Sequence, residues 1–139
     1  SVLTPFEVGS FTKLFSKDRA NKYFAHHMVV FFAGGTGHPY FSTDTGVMLR
    51  AIEVEADMLL LAKSIDGVYN ADPATDKNAR RYDTLSIEDV IAKNLQVVDM
   101  TASILARDNR MPMRVFALQE ENSIIKAASG NFNGTTVTV

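Results

Sequence analysis

Three glycines in the run Ala33-Gly-Gly-Thr-Gly-His-Pro-Tyr-Phe-Ser-Thr-Asp44 stand between an apolar, strand-like segment and a helix start. In an open α/β sheet this is where ligands bind, because backbone amides and the positive dipole end of the helix face outward there. Glycines let the backbone come close to an anion, and the hydroxyls of Thr36, Ser42 and Thr43 can donate to phosphate oxygens. The spacing is not the dinucleotide fingerprint, and no Lys-Ser or Lys-Thr follows as a P-loop requires. Any lysine that balances phosphate charge must then come from elsewhere. The same residues suit a tight strand-to-helix turn equally well, with Thr43 or Asp44 capping the helix.

A second run, Lys63-Ser-Ile-Asp-Gly-Val-Tyr-Asn-Ala-Asp-Pro73, also follows a strand-like segment and so falls on the same rim of the expected sheet. Here Tyr69 could stack on a base, Asp72 could accept from a ribose or purine group, and Lys63 could meet a polyphosphate. Read alone, the segment is first of all a turn. Asp66-Gly67 and Asp72-Pro73 are turn-forming pairs, and Tyr69 fits a core position with its hydroxyl at the surface.

Other polar residues suggest structure before chemistry. His26 and His27 are adjacent, so on a helix or strand they cannot face one metal, and no carboxylate sits at ligand spacing beside them. Asp99 precedes an apolar run and suits a helix cap. No serine has the surroundings of a nucleophile elbow. No residue is assigned as catalytic, and no metal ligand is assigned.

The elements that must position the two loops follow from hydrophobic period. The second half of residues 11 to 27 reads as an amphipathic helix, and Met28 to Ala33 as a central strand buried on both faces. A helix is expected from Thr43 or Asp44 to about Ala56, with Val47, Met48, Ala51, Ile52 and Glu55 at helical spacing, and a second buried strand at Met58 to Ala62. Strand, helix and strand make a βαβ unit. Ser86-Ile-Glu-Asp89 has the form of a capping box for a short helix to about Lys93, and Asp99 to Asp108 reads as another helix, stopped by Pro112. A third strand at Met113 to Leu118, a helix capped by Asn122 or Ser123 and a closing strand at Gly134 to Val139 complete the pattern. The expected class is α/β, a mostly parallel sheet with helices on both faces.

At 139 residues and 46% hydrophobic side chains, the chain can bury roughly two thirds of its unfolded surface. No linker divides it, so a single α/β unit over residues 1–139 is expected. Fourteen basic against sixteen acidic residues, a net charge of -2, give no basic stripe for a phosphate backbone, which argues against nucleic acid as a partner. The absence of cysteine excludes disulfides and thiolate metal sites, and fits a reducing compartment, with the cytoplasm as the default. The apolar runs are far shorter than the roughly 18 to 20 residues that cross a bilayer. The first residue is Ser1, not Met, so a piece of a longer protein is expected.

Taken together and in order, Phe32-Ala-Gly-Gly-Thr-Gly-His-Pro-Tyr-Phe-Ser-Thr-Asp-Thr45, Arg50-Ala-Ile-Glu-Val-Glu-Ala-Asp57, Asp66-Gly-Val-Tyr-Asn-Ala-Asp-Pro73 and Val97-Val-Asp-Met-Thr-Ala102 closely resemble the bacterial UMP kinases. Arg107-Asp-Asn, Pro112-Met-Arg-Val-Phe116 and Gly134-Thr extend the resemblance over nearly the whole chain. It implies the amino-acid-kinase fold and a reaction that moves the γ-phosphoryl group of ATP onto UMP. By this resemblance Thr36, Gly37, His38, Pro39, Tyr40, Phe41, Ser42 and Thr43 form the loop that grips UMP, and Lys63, Tyr69 and Asp72 contact ATP. Asp44 and Asp99 are acidic positions near the site. The family further implies magnesium, a hexameric homo-oligomer, and GTP and UTP as effectors.

The chain departs from the family in three residues and one large absence. His38 stands where many relatives carry Asn, Gly46 where a better helix former is usual, and Lys63 where some members have Thr. The family's amino-terminal half, with its Lys-x-Ser-Gly and Gly-Gly-Gly-Asn segments, is not in this sequence, which leaves the carboxyl-terminal nucleotide-binding half. Phosphoryl transfer needs positioning and neutralisation of charge by lysines, amides and Mg²⁺, so the chain alone is expected to be inactive. An acyl-phosphate-forming enzyme of the same superfamily, and a non-catalytic nucleotide-binding or oligomerisation module, are the alternatives.

Overall fold

Val2-Leu3-Thr4 is short, yet Leu3 and Thr4 are buried and the segment holds the centre of the first sheet. In the computed structural model, which describes residues 1–139, β1 (Val2–Thr4) pairs in parallel with β2 (Lys13–Leu14) on one side and β3 (Phe31–Phe32) on the other. Helix α1 (Lys17–Ala25) starts at Ser16, whose hydroxyl accepts from the Arg19 amide. Helix α2 (Thr43–Glu53) buries Thr45, Gly46, Met48 and Ala51. Phe15 meets Phe32 edge to face at 5.7 Å, and the Arg50 guanidinium lies 4.1 Å over the Phe15 ring. Contacts between α-carbons gather the chain into two compact units, Ser1–Ala56 and Asp57–Val139. The division falls in the tight turn after α2, where Glu55 takes a positive φ of 57°.

The second unit is built on a four-stranded sheet in the order β4-β8-β9-β7, where β4 is Leu59–Lys63, β7 Thr84–Ser86, β8 Met113–Ala117 and β9 Gly134–Thr138. β4 runs parallel to β8 in a register that sets Leu59 beside Met113 and Leu61 beside Val115. All four side chains are buried, the alternation expected of a strand with one face on the core. β9 runs antiparallel to β8 and parallel to β7. At the Phe116–Gly134 pair only glycine fits: an added Cβ would stand 2.2 Å from the Val115 carbonyl oxygen and 2.6 Å from the Phe132 ring. A hairpin of β5 (Val68–Tyr69) and β6 (Arg81–Tyr82) forms a two-stranded ladder of its own. Helices α3 (Ile87–Ala92), α4 (Met100–Asp108) and α5 (Ser123–Ser129) complete the unit.

The class is therefore α/β with parallel pairing prevalent, as the alternation of elements implies. The capping box at Ser86 forms, with the hydroxyl accepting from the Asp89 amide at 3.1 Å. Asp99 caps α4 by accepting from the Ala102 amide at 3.0 Å. Other expectations need correction. Met28 to Ala33 is neither central nor buried: only Phe31–Phe32 pair, at the edge of their sheet, and Val29 and Phe31 are 72% and 62% exposed. Apolar composition buries a strand only where something covers it, and here β1 holds the middle. The strands flanking α2 hydrogen-bond in different sheets, so the βαβ unit does not close in one ladder and the two loops do not leave one sheet's rim. Ser42, not Thr43 or Asp44, caps α2, and Val47 faces outward. Asn122 sits at the start of α5 with a positive φ of 57° and makes no side-chain cap.

Candidate functional site

The glycine loop starts where β3 ends. Gly34, Gly35 and Gly37 all take positive φ, at 89°, 61° and 78°, a region open to glycine at little cost. The space is as restrictive as the dihedral: a Cβ on Gly37 would lie 2.9 Å from Pro5, and one on Gly34 would lie 3.1 Å from it. The loop therefore lies flat against the residues that follow β1. It closes on itself through the Thr36 hydroxyl, which accepts from the His38 amide at 3.1 Å.

Ser42 ends the loop with its hydroxyl accepting from the Thr45 amide at 3.0 Å. The first turn of α2 packs on the loop at Gly46, where an added Cβ would make ordinary contact with the Gly35 backbone at 3.4 Å. The result is a cavity of about 210 Å³ lined by Gly34 to His38, Phe41, Ser42, Thr43 and the Phe6 ring. Of the expected octet, Thr36, Gly37, His38, Phe41, Ser42 and Thr43 line it, whereas Pro39 and Tyr40 do not. Tyr40 points into solvent, fully exposed, at a positive φ of 69°.

The second loop surrounds a larger cavity, about 560 Å³, in the Asp57–Val139 unit. Tyr69, Asn70, Asp72 and Pro73 line it together with Lys93 to Gln96, just after α3. Lys63 ends β4 and is not among the lining residues, so the expected trio is only partly assembled. The Tyr69 hydroxyl donates to Asp66 Oδ1 at 2.8 Å, and Arg81 Nη1 donates to Oδ2 of the same carboxylate at 2.7 Å. Donation to the carboxylate favours the protonated phenol and raises the Tyr69 pKa. Asp72 Oδ1 accepts from the Ala74 amide at 2.9 Å, so the turn chemistry read from Asp72-Pro73 is real.

Buried Thr135 fixes the hairpin from below, accepting from the Val68 amide at 2.8 Å and donating to the Tyr82 carbonyl. Lys93 bonds to Asp89 at 2.9 Å and lies 5.7 Å over the Tyr82 ring. The bond holds the Lys93 pKa up, and together with the Ser86 hydroxyl it holds that of Asp89 down.

Sequence reasoning missed Phe6 at the first cavity, with Pro5 behind the glycine loop, and Lys93 to Gln96 at the second. Pro5, breaking a short apolar run, was the available signal for the first pair. Nothing local marks the second group, which reaches the cavity through the path of the chain. Both cavities offer binding contacts: glycine backbone and hydroxyls in one, an aromatic ring, a carboxylate and an ammonium in the other. No group of three or more His, Asp or Glu side chains is arranged to hold a metal ion, and no helix is long and apolar enough to cross a membrane.

Residues 3–117 match the family model described as Amino acid kinase family. The chain is similar to the uridylate kinase of Hydrogenovibrio crunogenus, 47% identical over 123 residues that make up 88% of this chain and 52% of that relative. Among solved structures it is similar to UMP kinase from Ureaplasma parvum, with a TM-score of 0.93 and 31% identity over 99% of this chain and 59% of that one. UMP kinase from Bacillus anthracis gives a TM-score of 0.94 and 34% identity, again over 99% of this chain and over 57% of that one. The chain thus spans little more than half the length of the relatives it matches.

Proposed function

We propose a function from one premise: the chain belongs to the amino acid kinase family. It is the carboxyl-terminal, nucleotide-binding half of a UMP kinase, whose whole protein transfers the γ-phosphoryl group of ATP to UMP to give UDP and ADP. The observation that carries this reading is the cavity of about 210 Å³ built from the glycine loop. The 47% identity to a uridylate kinase supports the choice of UMP over an amino-acid acceptor.

UMP is assigned to Thr36–Thr43, with the amides and hydroxyls of the loop meeting its polar groups. ATP is assigned to the second cavity, with Tyr69 and Asp72 as contacts; Lys63, at the end of β4, acts there only by reaching in from outside the lining. Magnesium enters as MgATP. A magnesium ion is commonly held by substrate phosphates, one or two carboxylates and water, and Asp72 is the one carboxylate lining that cavity. The reading also carries a cytoplasmic enzyme that forms a homo-oligomer, hexameric as in the family, with GTP and UTP as effectors.

Transfer of a phosphoryl group requires positive charge around the γ-phosphate oxygens. Lys93 is the one lysine lining either cavity, and it is already paired with Asp89. The chain alone therefore binds without turning over, and a coupled ADP-release assay with UMP and MgATP is expected to show no activity above background. Isothermal titration tests the acceptor: UMP binds, while glutamate and aspartate do not. Saturable binding of either amino acid, with none of UMP, would replace the reading with an acyl-phosphate-forming kinase.

A further inference from the structure

Phe6 is an aromatic ring, half exposed, on the wall of a cavity whose other walls are mostly glycine backbone and hydroxyls. It is held there. The buried Thr4 hydroxyl donates to the Phe6 carbonyl oxygen at 2.8 Å and shares a second bond of 2.9 Å with the Thr12 hydroxyl. Pro5 packs against the glycine loop so closely that a Cβ on Gly37 would stand 2.9 Å from it, and the Phe6 ring edge would lie 3.4 to 3.5 Å from a Cβ on Gly34 or Gly37. A flat apolar face fixed beside a rim of polar groups is the environment a nucleobase fits, with the ring on the aromatic face and polar edges toward the loop.

We infer that Phe6 forms the base wall of the acceptor site, stacking on the pyrimidine ring, and so acts as a binding and specificity residue far in sequence from the glycine loop. This rests on the assignment of UMP to that loop. The chain contains no tryptophan, so Phe6→Trp places its one tryptophan on the wall, excited at the red edge of its absorption apart from the four tyrosines.

The experiment combines titration of the wild-type chain and of Phe6→Tyr and Phe6→Leu with UMP, and fluorescence of Phe6→Trp with UMP, uridine and inorganic phosphate. The expected result is UMP binding by wild type, unchanged affinity for Phe6→Tyr, about ten-fold weaker binding for Phe6→Leu, and saturable quenching of Phe6→Trp by UMP and uridine but not by phosphate. If the melting curve shows Phe6→Leu unfolded, the Phe6→Trp response decides. Wild-type binding with equal affinities for Phe6→Tyr and Phe6→Leu, or with emission indifferent to uridine, overturns the base wall and leaves the acceptor assignment standing. No UMP binding by the wild-type chain overturns both.

Discussion

The Tyr69 hydroxyl donates to the Asp66 carboxylate across 2.8 Å, which turns the phenol away from ligand chemistry and toward holding its own loop. If ATP uses this residue, it uses the ring. Tyr69→Phe is then expected to cost about 1 kcal/mol of stability through the lost bond and to leave MgATP affinity within about two-fold. Tyr69→Ala is expected to weaken MgATP about ten-fold, in the range of a lost base–aromatic stack. Titration with MgATP checks both, and equal losses in the two variants would mean that the hydroxyl is the contact. The bond also sets a pH dependence. Because the folded phenol has its pKa raised above 10.0, its contribution is complete below that value and is lost as pH rises through the folded pKa.

Thr135 should be among the costliest small polar residues to replace. Its hydroxyl serves the Val68 amide and the Tyr82 carbonyl from a fully buried position. Thr135→Val keeps the shape and strands both groups, an expected loss of about 2 kcal/mol. Thr135→Ser keeps the hydroxyl and should recover most of it. Urea unfolding of the two variants measures the difference.

Two glycines are expected to answer alanine in opposite ways. Gly134→Ala drives a Cβ to 2.2 Å from a backbone oxygen inside the sheet, and an expected loss of about 3 kcal/mol follows from overpacking that cannot relax. Gly46 lies inside α2, where its Cβ would make ordinary contact with Gly35. Gly46→Ala is expected to gain about 0.5 to 1 kcal/mol from helix propensity. Thermal melts of both variants settle the signs.

The Asp89 carboxylate is held below its ordinary value of 3.8 first by Lys93 and then by Ser86. A lowered folded pKa gives stability that is present above the unfolded pKa and fades as pH falls through the folded one. Asp89→Asn should therefore melt below wild type at neutral pH, and the gap should close as pH falls below about 4. A gap unchanged at low pH would show that the ion pair is not its source.

Local rules were legible in the sequence wherever a side chain answers to its own neighbours. Ser86 and Asp99 cap the helices that follow them, and the strand-like runs at Met58 and Met113 pair as β4 and β8. What failed depended on distant partners. Met28-Val-Val-Phe-Phe-Ala33 has the composition of a central strand, yet Leu3 occupies the centre and Phe31 the edge, because strand order is set by the whole chain. For the glycine loop, type and spacing foretold the turn and the polar lining. They did not foretell Phe6, which lies 28 positions before Gly34 and reaches the cavity only through the pairing of β1 with β3. Likewise Lys93 joins Tyr69 in lining one cavity by virtue of the path of the chain after α3, which no local motif encodes.

The most direct measurement is amide chemical-shift mapping on the isotope-labelled chain, titrated separately with UMP and MgATP. UMP should move the amides of Gly34 to Thr45 and Phe6, while MgATP should move those of Ser64 to Pro73 and Lys93 to Gln96. If UMP leaves the Gly34–Thr45 amides still while binding elsewhere, or shifts nothing at saturating concentration, the glycine loop is a structural turn and the acceptor assignment is wrong.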